Sequence, residues 1–210
     1  MRELILKMAM SVDGFVSDLE GRNTWMFGAD QEAKAWGVDF IGNASLHIMG
    51  GRSFRDMAAW WPTSTDAFAA PMNQIPKAVF SRQGPAILDA AKPTAALDEA
   101  RAQAGATQSP ALQPGAESWA QAYVASGDLA EEVGKLKAQE GKPIIAHGGV
   151  GFARGLVARG LVDQFALIVA PMALGQGQPL FSELAAPLPL KLVSAKVFPG
   201  GAIAQIYRPA

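Results

Sequence analysis

Three short segments, two of them opened by glycine, carry groups able to hold a phosphate. Ile144 to Leu156 (IIAHGGVGFARGL) reads as an apolar strand running through Gly148-Gly149 into a helix. A glycine-opened turn at a helix start leaves several backbone N–H groups without intrahelical partners. It adds the positive end of the helix dipole and lets a phosphate approach the main chain. His47 to Ser53 (HIMGGRS) repeats the design and adds Arg52 and Ser53, a guanidinium and a hydroxyl suited to a dianionic phosphate. Val79 to Arg82 (VFSR) sets Ser81 and Arg82 at a strand's carboxyl end, where ligands of open α/β sheets gather. In the first segment the spacing is GGxG, without the Lys-Ser/Thr pair of a P-loop and without the GxGxxG dinucleotide fingerprint. The first segment alone reads equally well as a plain strand-to-helix turn, and each arginine alone as a solvated surface charge. Three such turns, each following a strand, point to a phosphate-bearing ligand.

Residues able to move a proton are few. Asp13 follows the first strand and is either an acid near a reacting centre or an Asx-type turn residue. His147 stands beside Gly148-Gly149, as a proton donor or a structural residue. Trp25, Met26 and Phe27 either line a pocket or pack the core; Trp60-Trp61 reads as packing. Asp163 reads as a cap or tether at a strand start, and Gly175 and Gly177 as the makings of a tight loop.

The rest of the composition narrows the chemistry by exclusion. The chain has 210 residues, 50% hydrophobic, with 18 basic and 19 acidic side chains and a net charge of −1. A chain of this length can bury about 70% of its unfolded surface and needs neither disulfide nor structural metal. Balanced charge without long like-charged runs argues against nucleic acid or an anionic membrane as partner. The absence of cysteine excludes thiolate nucleophiles, disulfides and cysteine-ligated zinc or iron–sulfur centres, and His47 and His147 alone are too few for a histidine-rich metal site. No apolar stretch reaches the length of a membrane span, and the N-terminus runs straight into a strand, so a soluble, cytoplasmic protein is expected.

These groups need elements to position them. The pattern predicts strands at residues 3–10, 46–49, 77–82, 119–125, 144–147, 162–171, 190–198 and 202–207. Helices are predicted from Asp30 to Ile41, from Ser53 to Trp60, from Asp128 to about Gln139 and from Gly149 to about Arg159. Residues 83–118 are rich in Ala, Pro, Gly and Gln, with LDEARAQAG as one possible helix; they read as an excursion from a single domain spanning 1–210. Strand–helix alternation closed by a hairpin predicts an α/β fold: a mostly parallel sheet, helices on both faces, and an antiparallel C-terminal edge.

The chain resembles the dihydrofolate reductase-like family that includes the C-terminal reductase domain of the bifunctional riboflavin-biosynthesis deaminase/reductase. The resemblance is carried by MAMSVDGFVS (8–17), IMGGRSF (48–54), KAVFSR (77–82), the segment 144–181 ending LVDQFALIVAPMALGQGQPLF, and the terminal hairpin. It covers nearly everything except 83–118. It implies a three-layer sandwich, a homodimer through the C-terminal sheet, and an NADPH-dependent reductase acting on a small heterocycle, ribosylaminopyrimidine-like or pterin-like. By likeness, Gly51, Arg52 and Ser53 meet the adenosine-side phosphates, and Ser81 and Arg82 read the 2′-phosphate. Gly148, Gly149, Val150, Gly151 and Phe152 wrap the pyrophosphate, and the Ala9 backbone holds the nicotinamide carboxamide. The loop through Asp13-Gly14 matches the family's mobile loop.

The departures bear on the substrate. Dihydrofolate reductases carry a carboxylate on the first helix to hold the pterin; the ungapped match is Lys34, with Asp30 one turn earlier. Arg22, Lys34 and Arg55 are candidates for a substrate phosphate. Residues 83–118 form either a lid or an exposed loop. The lack of a Cys/His cluster leaves no zinc deaminase site, so a stand-alone reductase is expected. The competing reading is an NADP(H)-binding sensor without redox turnover.

Overall fold

Alternation along the strands decides which side chains form which layer. In β1 (Leu4–Met10), Leu4 and Leu6 join one buried cluster and Ile5 joins another on the opposite face. Ile144 and Ile145 divide in the same way on β5 (Ile144–Ala146). A strand apolar on both faces needs cover on both, and helices supply it.

The computed structural model describes residues 1–26, 30–89 and 107–210. Its other strands are β2 (Leu46–Gly50), β3 (Lys77–Phe80), β4 (Tyr123–Ala125), β6 (Gln164–Val169), β7 (Leu190–Val197) and β8 (Ile203–Pro209). Its helices are α1 (Gln31–Gly42), α2 (Gly51–Trp60), α3 (Ala69–Gln74), α4 (Leu129–Ala138) and α5 (Val150–Ala158). One sheet runs β4-β3-β2-β5-β1-β6-β8-β7. The first six strands in that order pair in parallel, and β8 pairs antiparallel with both β6 and β7. Val133 and Leu136 of α4 and Ala153, Leu156 and Val157 of α5 cover one face; Ile41 of α1, Phe54 of α2 and Met72 of α3 cover the other. The expected three layers and antiparallel C-terminal edge are present.

Local differences have local causes. The strand expected over 119–125 is a 3-10 turn at Ala116–Trp119 followed by the short β4. Trp119 is buried by its indole, which donates to Asn73 Oδ1 at 2.8 Å and lies under the Lys77 ammonium, 4.7 Å from the ring centroid. The short α3 is absent from the sequence reading because Pro71 falls inside its six residues. The helix expected over LDEARAQAG lies outside the described residues. Residues following it return beside 63–65, where Thr65 N donates to Thr107 O and Ser109 N to Thr63 O. Asp163 is a tether: it accepts from Leu4 N and pairs with Lys137.

Candidate functional site

Four of the helices start at the carboxyl rim of the parallel strands, and their caps differ. Asp30 caps α1 by accepting from Ala33 N, and Asp128 caps α4 by accepting from Ala130 N and Glu131 N. Their first-turn donors are thus answered from within. In α2 and α5 the N-cap is Gly50 or Gly149 and no side-chain cap exists. Those two helices leave open N–H groups, and they follow β2 and β5, which are neighbours in the sheet.

The two turns are built against each other. Gly50 N donates to Gly148 O at 2.9 Å, and His147 N to Ile48 O at 3.0 Å. A Cβ on Gly149 would meet Ser53 Oγ at 3.0 Å, and one on Gly50 would meet Phe152 Cβ at 3.0 Å. Gly148 adopts φ +92°, open to glycine and strained for other residues, and the Gly148–Gly149 peptide is cis. The Phe80 and Phe152 rings lie 4.9 Å apart between β3 and α5. Ser81 joins the same corner, since a Cβ on Gly51 would meet Ser81 Oγ at 3.3 Å. Gly51, Arg52, Ser53, Ser81, Arg82, Gly148, Gly149, Val150, Gly151 and Phe152 therefore sit together on one stretch of rim. Such a glycine-lined cradle with open N–H groups and adjacent guanidinium groups fits a dinucleotide diphosphate and a phosphate ester.

Ala9 lies near the carboxyl end of β1, in register with Ile168. Lys7, two residues earlier on the same face, was not singled out from sequence. Its ammonium lies over the Phe68 ring, 5.6 Å from the centroid, and burial pushes its pKa down to about 8. Among the described residues it has no carboxylate partner. The clue in the sequence is a single lysine inside the otherwise apolar LILKMAM. Leu6 pairs with Ala146, so Lys7 and His147 leave adjacent strands one residue further on. His147 packs edge-on against His47, with ring centroids 4.6 Å apart. His47 Nε2 donates to Ile41 O at 3.1 Å, and among the described residues neither His47 Nδ1 nor His147 Nε2, both buried, has a partner. Burial holds His47 down to about 4 and His147 well below the usual imidazole range, with Lys7 and Lys77 adding repulsion to both. The floor behind Ala9 thus carries cationic and imidazole groups.

The remaining sequence candidates have defined jobs. Asp13 accepts from Ser11 Oγ, Leu174 N and Gly175 N, and these bonds, the Ser11 one foremost, hold its carboxyl below the usual range. It latches the 11–17 loop to the loop after β6, alongside Val12 N to Met172 O and Val16 N to Gln178 O. An anion so stabilised is a poor proton donor. Gly177 is required by close approach, because a Cβ there would lie 2.3 Å from Ser17 O. Asp30, besides capping α1, accepts from Gly200 N at 2.6 Å in the β7–β8 turn. Lys34 pairs with Asp66 at 2.5 Å. Trp25 is partly buried in a 3-10 turn, and its Nε1 has no partner among the described residues. Phe27 lies outside the described residues.

Arg22, Lys34 and Arg55 do not converge on a second phosphate site. Arg22 pairs with Asp18 and Glu20, Lys34 with Asp66, and Arg55 donates to Gln83 beside Ser81 and Arg82. A surface hollow of about 490 Å³ bounded by Asp39, Gly42, Asn43 and Lys142 opens at the amino ends of β2 and β5, on the opposite rim. Among the described residues no group of three His, Cys, Asp or Glu is placed to hold a metal, and no helix is long and apolar enough to cross a membrane.

Comparison with known proteins places these features in context. The sequence pattern of the RibD C-terminal domain matches residues 2–204. The chain is 26% identical over 211 residues to the uncharacterized protein YyaP of Bacillus subtilis, covering 98% of this chain and 94% of that protein. Its fold is similar to a pyrimidine reductase-like protein of Corynebacterium diphtheriae, with a TM-score of 0.63 and 18% identity over 100% of this chain and 92% of the other. It also matches a diaminohydroxyphosphoribosylaminopyrimidine deaminase/5-amino-6-(5-phosphoribosylamino)uracil reductase of Thermotoga maritima, with a TM-score of 0.66 and 15% identity. All of this chain is covered there, but only 57% of that longer one.

Proposed function

The chain belongs to the RibD C-terminal domain family, and on that footing we propose that it is an NADPH-dependent reductase of a small heterocyclic substrate. One observation carries the reading: α2 and α5, on neighbouring strands, are the two rim helices led by glycine without a side-chain cap, and Ser81, Arg52 and Arg82 flank them. In this reading Gly148 to Phe152 and Gly51 to Ser53 hold the diphosphate bridge, Ser81 and Arg82 the 2′-phosphate, and the Ala9 backbone the carboxamide. Reduced nicotinamide, when bound, would supply a hydride to the carbon of a C=N or C=O bond, whose heteroatom would then need a proton. Lys7 is the group to give it, its ammonium drawn to about 8 by burial and recharged from solvent.

The same floor bears on the substrate. A pterin ring held as a cation needs a carboxylate, but Asp30 is spent on Ala33 N and Gly200 N, and Asp66 on Lys34. This favours an acceptor of the ribosylaminopyrimidine kind over a pterin.

The test is thermal stabilisation of the full chain by NADPH and NADH, followed by oxidation of NADPH with pyrimidine ribosylamines, dihydropterins and dihydrofolate. Ligand at a hundred times Kd is worth about 2.7 kcal/mol, a clear rise in Tm. NADPH should stabilise more than NADH; equal shifts remove the 2′-phosphate roles, and no shift removes the assignment. Binding without turnover on any acceptor would instead favour a sensor.

The partner is a second copy of the chain. Strand β7 runs along a free sheet edge with Leu192 52%, Val193 53% and Val197 70% exposed, an arrangement that invites pairing. Sedimentation should show a homodimer, and a monomer at all concentrations would contradict this.

A further inference from the structure

Charge balance around the arginines is uneven. Arg22 and Arg208 pair with Asp18 and Glu3, Arg154 lies 4.0 Å from Glu183, and Arg2 and Arg159 donate to main-chain carbonyls. Arg52, Arg55 and Arg82 form no ion pair with any described carboxylate. All three belong to the corner where α2 begins beside the end of β3.

Arg55 is the one of the three that is held in place. It stands three residues after Arg52, on nearly the same side of α2. Its Nη2 donates to Gln83 Oε1 at 2.5 Å, and Gln83 N donates to Ser81 Oγ at 3.2 Å. Its Nε is buried and has no acceptor among the described residues. A neutral amide tether fixes the plane of a guanidinium without cancelling its charge, whereas a carboxylate would do both. The buried Nε also leaves a donor unanswered, a costly arrangement unless something else accepts from it.

We infer that Arg55, aimed by Gln83, is a specificity-determining residue that recognises the ribose 2′-phosphate monoester of NADP(H) together with Arg52, Arg82 and Ser81. This deepens the reductase reading and rests on it. A phosphate monoester offers three charged acceptor oxygens, and a preset guanidinium fork meets two of them at once. NAD(H) has a hydroxyl at that place, which neither needs the fork nor neutralises it.

The test is calorimetric binding of NADP⁺, NAD⁺ and adenosine 2′,5′-bisphosphate to the full chain at fixed ionic strength, with the melting temperature of each unliganded variant as a check on folding. Arg55→Gln should weaken NADP⁺ and the bisphosphate on the order of tenfold and leave NAD⁺ unchanged. Arg55→Lys should recover part of the loss. Gln83→Glu, which keeps the tether but neutralises the charge, should also weaken NADP⁺ alone. Equal losses for NADP⁺ and NAD⁺ would make Arg55 a strut between α2 and the β3 turn and overturn the inference, as would no loss at all. Wild-type protein that prefers NADP⁺ while Arg55→Gln keeps that preference sinks only this inference. Wild-type protein that binds neither dinucleotide sinks the reductase reading with it.

Discussion

Replacing Lys7 by Met is expected to separate stability from function. Lys7 stands on β1 between Ile5 and Ala9, without a carboxylate partner among the described residues, and burial lowers it from 10.5 to about 8. That displacement corresponds to about 3 kcal/mol in favour of the neutral amine. In the unfolded chain the amine keeps its proton up to about 10.5. Between pH 8 and 10.5 the unfolded state therefore binds more protons, and stability rises with pH across that window. Methionine fills a similar volume without the charge. At pH 7 Lys7→Met should be more stable than wild type by about 1–3 kcal/mol, and the difference should shrink toward pH 10. Reductase turnover should fall by about 10²–10⁴-fold with NADP⁺ affinity unchanged, and the wild-type rate should decline above about pH 8. Lys77 is the control. Burial takes it to about 7, yet its Nζ donates to Asn73 O at 3.0 Å and Ser118 Oγ at 2.5 Å, so Lys77→Met strips real bonds and should lower stability at the same pH. Urea unfolding at pH 7 and 10, with NMR titration of the lysine Cε signals, makes the measurement. A less stable Lys7→Met at pH 7, or a Lys7 signal titrating near 10.5, would refute the argument and its proposed role as acid.

Three other substitutions probe other parts of the site. Gly149→Val should abolish binding of NADP⁺ and NAD⁺ alike, because even a Cβ there would lie 3.0 Å from Ser53 Oγ; calorimetry showing unchanged affinities would end the cradle argument. Unfolded histidines take up protons near 6.5, whereas burial keeps His47 neutral to about 4 and holds His147 well below the usual imidazole range. Stability should therefore fall as pH drops below 6.5, and His147→Gln should flatten that slope; parallel urea midpoints from pH 7 to 5 for both proteins would contradict it. The Asp13 carboxyl sits below its ordinary value of 3.8, so its stabilising bonds are intact above that pH and lost as acid protonates it. Asp13→Ala should speed amide exchange at Leu174 and Gly175 at neutral pH, and unchanged exchange would show that the latch lies elsewhere.

Local chemistry made much of this protein readable in one dimension. Apolar runs such as LILKMAM and IIA announce strands covered on both faces, Asp30 and Asp128 announce helix starts, and the glycine pairs announce turns that follow strands; each signal lies within a few neighbouring residues. Which of those turns face one another depends on strand order, and order comes from pairing between segments roughly a hundred residues apart: β2 lies beside β5 and puts Gly50 against Gly148. The same long-range packing gave Asp30 a second partner in Gly200, closed Lys34 onto Asp66, and turned Arg55 toward Gln83. A charged group's role is set by what neutralises it, and that partner is supplied by the fold. Lys7 shows the limit most plainly. Its place in a strand was legible, but a lysine has the same letters whether its ammonium meets water, an acid or the face of Phe68, and only the packing of β1 against the helices decided which.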